Sequence, residues 1–251
     1  MSNSGAKLMM AAATGGVAPF TYDAVTFDGT NDYLTRGADL TGNVNGKSGL
    51  ISAWLKTDSN SANRSIWRAT TADAEIEIYR RSDNKVWVTF QDTGQHRDIF
   101  YKSGTSLVSA DGWVHWMFAW DTAAGVSEMY FDGVQDSPSL DTNVNDTLDY
   151  TNNNHHFFAS TSGAQKWDGD VSEFYITLNE TLDITSSTNR AKFSDGSPVS
   201  LGADGSGPTG NSPIIYLHID EEETANNFAD NAGTGGGMTV NGALTTAATK
   251  P

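Results

Sequence analysis

The chain has 251 residues, a formal net charge of −16 and no cysteine. Without thiols there is no disulfide framework and no thiol chemistry, and an acidic chain lacks the basic stripe that nucleic-acid binders need to release counterions. No apolar stretch approaches the roughly 20 residues of a membrane helix, so neither nucleic acid nor membrane is an expected partner.

Residues 1–21 read as an N-terminal arm. The run Lys7–Ala13 has the look of a signal peptide, but its apolar part falls short of the roughly 7–15 residues required, so no leader is expected. The arm is made of small residues with Gly15-Gly16, and its apolar groups are confined to Leu8–Met10 and Val17–Phe20. It cannot build a core of its own, and the expectation is an assembly contact, most plausibly in a homotrimer.

From residue 22 onward the pattern is that of strands. Val25–Leu34 reads as strand, tight Asp28-Gly29/Asn31-Asp32 turn, strand. Gly49–Lys56 reads as a strand buried on both faces, followed by short strands at 65–68, 74–80 and 85–91. Ile76 and Ile78 share one face with Glu75, Glu77 and Tyr79 opposite, and Val86, Val88 and Phe90 oppose Trp87 and Thr89. In Gly112–Asp121 the alternation places Val114, Trp116, Phe118 and Trp120 on a single face, and 128–134 reads as its hairpin partner. Strands at 155–159 and 170–178 follow. The segment 183–212 is expected to be a helix and loop insertion, with the helix over 185–193, before last strands at 213–219 and 237–242. Regular short strands with turn chemistry between them predict an all-β antiparallel sandwich covering 22–251.

Five motifs occur in order: Phe27-Asp28-Gly29-Thr30-Asn31-Asp32-Tyr33, Ile51-Ser52-Ala53-Trp54-Leu55-Lys56, Trp113-Val114-His115, Tyr130-Phe131-Asp132-Gly133 and Gly169-Asp170-Val171-Ser172-Glu173. Together they resemble the laminin-G-like, concanavalin A-like jelly rolls over roughly residues 22–182. The tail, with Lys192-Phe193, Pro208-Thr209-Gly210 and Gly233-Thr234-Gly235-Gly236, resembles that of laminin-G-like proteins in tailed-phage virions. The resemblance implies a non-enzymatic virion structural protein, made in the host cytoplasm and carried on the phage particle. It would display a lectin-like domain for host-surface glycans, with other virion proteins as partners. A capsid decoration protein and a laminarinase-type glycan hydrolase are the alternatives.

The hydrolase would need two carboxylates across a scissile bond, about 5–5.5 Å apart for retention. Asp168, Asp170 and Glu173 are the candidates, but Asp168 has a shorter reach than the Glu of that family's strand and sits in a turn, so catalysis is not expected. The resemblance also implies Ca²⁺ near the first turn, with Asp28, Asn31, Asp32 and Asp170 supplying hard oxygen ligands; ordinary turn chemistry explains the same residues. His155 and His156 are adjacent on a strand and point to opposite faces, so they make no metal pair. Glycan binding needs aromatic rings beside hydroxyl-reading groups. The candidates are Trp67, Trp87, Tyr150, Asn153 and Trp167.

Overall fold

The computed structural model describes residues 22–70, 75–220 and 223–251; the expected arm lies outside them. In chain order, β1 (Val25–Asp28), β2 (Tyr33–Arg36), β3 (Ser48–Thr57), β4 (Arg64–Thr70), β5 (Glu75–Arg80) and β6 (Lys85–Gln91) come first. β7 (Arg97–Ser106), β8 (Val114–Asp121), β9 (Val126–Phe131), β10 (Val134–Gln135), β11 (Leu140–Asn143) and β12 (His155–Phe157) follow. β13 (Asp168–Leu178) leads to a one-turn helix, α1 (Ser187–Arg190), and β14 (Ile215–Leu217), β15 (Thr239–Asn241) and β16 (Thr245–Thr246) close the fold. All strand pairs are antiparallel. One sheet has the order β10-β9-β8-β3-β13-β1-β16 with β14 also on β13, and the other β11-β7-β6-β5-β4-β12-β2-β15. The two sheets enclose one apolar core, and the expected jelly-roll sandwich is the observed fold.

The first turn does not close a hairpin. β1 pairs with β13 in one sheet, and β2 pairs with β12 in the other. Asp28–Asp32 therefore carries the chain across the sandwich, a role that local turn chemistry cannot distinguish from a hairpin. β7 and β11 are strands that the alternation did not mark. The expected helix over 185–193 shrinks to the four residues of α1, since Asp183 Oδ1 accepts from the Thr185 N–H at 2.9 Å and holds the approach in a turn.

β8 behaves as its pattern requires. Trp116, Phe118 and Trp120 are fully buried. Trp120 packs on Phe90 with ring centres 4.7 Å apart, and its indole N–H donates to the Tyr150 hydroxyl at 2.7 Å. Each such aromatic contributes on the order of 2–3 kcal/mol through burial. The indole demands room on β3: a Cβ at Gly49 would lie 2.3 Å from Trp120 Cζ2. Glycine there is required by close approach rather than by its backbone angle.

The other face of β8 is covered as well. Met117 and Ala119 join Leu50, Tyr130 and Tyr175 beneath Ile184, Phe193 and Leu201 of the segment that follows β13. That segment forms a second apolar layer on the outside of the first sheet. Among the described residues the outer face of the second sheet carries no such layer.

The open sheet face

Four neighbouring strands of the uncovered sheet alternate cleanly. Trp67, Ile78, Val88 and Tyr101 face the core and lie in register. Between them, two cross-strand rows point outward: Arg68, Glu77, Thr89 and Phe100, and next to it Tyr79, Trp87 and Lys102. Tyr79, Trp87 and Phe100 are half-buried and adjacent, with the Trp87 and Phe100 rings 5.3 Å apart at 46°.

Cations crowd these rings. The Arg81 guanidinium lies 4.6 Å from the Trp87 ring centre and 5.6 Å from that of Tyr79. Lys102 Nζ lies 4.9 Å from Trp87 and Arg97 5.1 Å from Phe100. A cation over an aromatic face is attracted by the ring quadrupole, by roughly 0.5–1 kcal/mol at exposed sites. Lys102 also pairs with Asp83 at 3.1 Å, and Arg68 pairs with Glu75 and Glu77 at 3.0 and 2.5 Å. Burial raises Glu77 against the pull of Arg68. Burial also works to raise Asp83, but the Lys102 ammonium and the Lys85 N–H outweigh it and hold the carboxyl low. Among the described residues, Arg81 and Arg97 make no ion pair with a carboxylate, so their guanidinium donors remain open.

The face continues across β12 and β2. His156 lies opposite Arg68 and stacks on Tyr33, with ring centres 5.8 Å apart at 8°. Burial lowers the His156 pKa, and its Nε2 contacts Asn154 Oδ1 at 2.9 Å. Asn241 of β15 donates to Thr35 Oγ1 at 3.0 Å. The surface thus offers flat rings for stacking, with amide, hydroxyl and guanidinium groups around them for reading hydroxyls and acidic substituents.

Of the residues expected to bind glycan, Trp87 stands on this face and Asn153 is exposed in the loop before β12. Trp67, Tyr150 and Trp167 are fully buried, which corrects their assignment as sugar platforms. Trp67 stacks on Phe157 at 6.0 Å, and the Tyr150 hydroxyl spans from Trp120 to the Ser48 carbonyl at 3.2 Å. Size and flanking turns do not tell a core indole from a surface one. Tyr79 and Trp87 could be placed from alternation, whereas Phe100 and Lys102 were missed with β7 itself.

The carboxylates of β13 go to separate partners. Asp168 Oδ2 pairs with Arg64 at 3.0 Å; Asp170 pairs with Lys56 at 2.7 Å and accepts from Thr26 Oγ1 at 2.6 Å. Glu173 is buried and accepts from the Tyr216 hydroxyl at 2.7 Å. The first turn is equally self-contained. Asp28 Oδ1 accepts from the N–H groups of Thr30 at 2.7 Å and Asn31 at 3.0 Å, while Asp32 accepts from those of Asp28 at 3.2 Å and Ala243 at 2.9 Å. Asp170, already held by a lysine, is spent. These hydrogen bonds are those of an Asx turn.

One hollow of about 360 Å³ lies on the covered sheet, lined by Trp54, Trp113, His115, Asp132 and Arg190. There Ser52 Oγ and His115 Nε2 are 2.9 Å apart. Burial pushes His115 down to about 3, and Asp132 Oδ1 accepts from the His115 backbone N–H at 2.8 Å rather than from its ring. A buried serine and histidine without a carboxylate orienting the imidazole do not make a nucleophilic triad.

A two-sheet antiparallel sandwich with one sheet padded and the other presenting rings to solvent defines a lectin-like class of domain. The family model for the Concanavalin A-like lectin/glucanases superfamily, of laminin-G type, matches residues 28–182, more than half of the chain, and the chain belongs to this family. No curated protein matches it. Among solved structures, a Bacteroides ovatus protein provisionally named as carbohydrate-binding aligns with TM-score 0.63 and 14% identity, over 92% of this chain and 62% of its own length. The heptameric SAP-like pentraxin of Limulus polyphemus aligns with TM-score 0.52 and 13% identity, over 88% of this chain and 95% of its own. At these identities the likeness establishes the fold.

Proposed function

We propose that this chain is a non-catalytic glycan-binding domain, and that the open sheet face around Trp87 holds the sugar. The observation that carries the proposal is the cluster of half-buried rings, Tyr79, Trp87 and Phe100, bordered by the guanidinium groups of Arg81 and Arg97 on an otherwise strongly acidic protein. Rings stack on pyranose faces, and open guanidiniums form bidentate contacts with carboxylate or sulfate. Glycans with acidic substituents are therefore the favoured class. A binding role is preferred to hydrolysis because Asp168, Asp170 and Glu173 are committed to Arg64, Lys56 and Tyr216.

The place of action is a tailed-phage particle, where the domain would attach to host-surface glycans beside other virion proteins. This part rests on the resemblance of the tail segment to phage laminin-G-like proteins. A glycan array comparing neutral with acidic oligosaccharides tests the site, followed by titration calorimetry on W87A and R81Q. The expected result is acidic-glycan binding that both variants weaken by about tenfold or more, since a buried aromatic or charged contact accounts for at least about 1.4 kcal/mol. R81Q changes one partly exposed side chain and should retain the wild-type Tm. Binding that survives both substitutions, or an array without hits, overturns the reading.

A further inference from the structure

The hollow on the covered sheet has no part in the proposed glycan surface, and its walls come from two regions of the chain. Trp54 of β3 and His115 of β8 are partners in register, both buried, with ring centres 5.1 Å apart at 35°. Trp113 precedes β8, and Asp132 follows β9, where its backbone N–H donates to the His115 carbonyl at 2.8 Å. The remaining wall, with Arg190, Ser194 and Gly196, belongs to the segment beyond β13. At about 360 Å³ the hollow sits near the lower end of the roughly 300–1,000 Å³ of small-molecule sites. A Cβ at Gly133 or Gly196 would meet nothing within 4 Å, so the mouth between them is open.

Two features of the lining call for a ligand. Trp54 is 5% exposed, and its indole N–H is buried without a hydrogen-bond partner among the described residues. A buried donor left unsatisfied is costly, and an acceptor seated in the hollow removes that cost. The second feature is a carboxylate and a guanidinium that line one hollow without pairing. Asp132 Oδ1 accepts from the His115 backbone N–H at 2.8 Å. Arg190 Nη1 donates to the carbonyls of Ile184 and Thr185 at 2.6 and 2.9 Å, and its guanidinium lies 4.3 Å from the Tyr130 ring centre. Among the described residues neither group enters an ion pair, which leaves Asp132 Oδ2 and Arg190 Nε and Nη2 uncommitted. The other polar groups add no charge: burial pushes His115 down to about 3, and the Trp113 indole N–H is given to Thr249 Oγ1 at 3.1 Å.

We propose that this hollow is a second ligand site, selective for a small zwitterion of the α-amino-acid kind. The ligand carboxylate takes the uncommitted edge of the Arg190 guanidinium, with the Trp54 N–H as a further donor, and the ligand ammonium lies on Asp132. An apolar ligand side chain covers the Trp113 ring. A neutral sugar would leave both charges unanswered, and a simple carboxylate would meet Asp132 as a like charge. Arg190 is set beside the sheet by the segment beyond β13, so the site combines the matched part of the chain with the part that follows it.

The test is titration calorimetry on the full chain with L-leucine. Three comparison ligands are 4-methylpentanoate, which lacks the ammonium, 3-methylbutylamine, which lacks the carboxylate, and glucose. L-Leucine should bind, and the other three should bind at least tenfold more weakly. D132N changes one exposed side chain whose amide oxygen still accepts from the His115 N–H, so its Tm should match the wild type. It should weaken L-leucine at least tenfold and bind 4-methylpentanoate more tightly than the wild type does. R190Q should weaken both ligands. Absence of L-leucine binding at millimolar concentration overturns the site, as does glucose or 4-methylpentanoate binding as tightly as L-leucine. L-Leucine binding that D132N and R190Q both leave unchanged overturns it as well.

Discussion

Glu173 combines two unfavourable features. It is a non-glycine residue with φ of 49°, in the left-handed region, at a register shift between Ser172 and Tyr175 of β13. Such a conformation costs on the order of 1–3 kcal/mol and persists only where the surroundings impose it. Its carboxyl is buried, Oε2 takes the Tyr216 hydroxyl, and Oε1 has no partner among the described residues. Burial raises its pKa from 4.5 to about 7, the Tyr216 bond opposing and Asp220 adding to the shift. Between those values the folded state keeps a proton that the unfolded chain has released. The associated stability is complete below about pH 4.5 and is lost as pH rises through 7. Glu173→Gln preserves the Tyr216 contact without a charge. Its stability relative to wild type should therefore grow between pH 5 and pH 8, by on the order of 3 kcal/mol. Urea denaturation at the two pH values reads the difference; an equal gap at both would mean that Glu173 is not protonated in the fold.

At the level of elements, the segment beyond β13 decides more than the family match suggests. The match ends at residue 182, yet β14 pairs with β13, β15 with β2 and β16 with β1. The same segment places Phe193 on Tyr175, with ring centres 5.2 Å apart, and the Arg190 guanidinium 4.3 Å from the Tyr130 ring centre. A chain truncated after residue 182 would expose Leu50, Met117, Tyr130 and Tyr175 together and leave strand edges open, a combination that favours association. Such a truncation should bind the dye ANS and aggregate, whereas the full chain should do neither. A soluble, cooperatively melting truncation would show that this outer layer is dispensable.

For the whole molecule, the proposed assembly rests on the N-terminal arm. The described core begins at Ala24 and Val25, both fully buried. If the arm carries the proposed homotrimer, light scattering on the full chain should give three times the 26.9 kDa monomer mass. Deleting residues 1–20 should yield a monomer with a nearly unchanged melt. A full-length monomer would exclude the arm as a self-assembly device.

The local pattern of residues was enough to determine the class of fold and most strands. Period-2 alternation in β5, β6 and β8 states which side chains face the core, because the pleat sends successive Cβ atoms to opposite sides. Trp116, Phe118 and Trp120 were legible for that reason, and so were the outward positions of Tyr79 and Trp87. β7 was not, because Arg97-Asp98 and Lys102–Ser106 surround its apolar residues with polar ones, Asp98 and Ser103 being buried. The proposed binding surface depended on a further fact that no local pattern holds: which sheet is left uncovered among the described residues. Both sheets have outward faces with aromatics, Tyr130 and Tyr175 on one and Tyr79, Trp87 and Phe100 on the other. Phe193 and Leu201 cover the first set from far along the chain. Likewise Trp67, Tyr150 and Trp167 lie beside turns as surface aromatics do, and only the packing of the two sheets against each other made them core. Burial is a property of what lies above a residue, and in an antiparallel sandwich that neighbour arrives from a distant part of the chain.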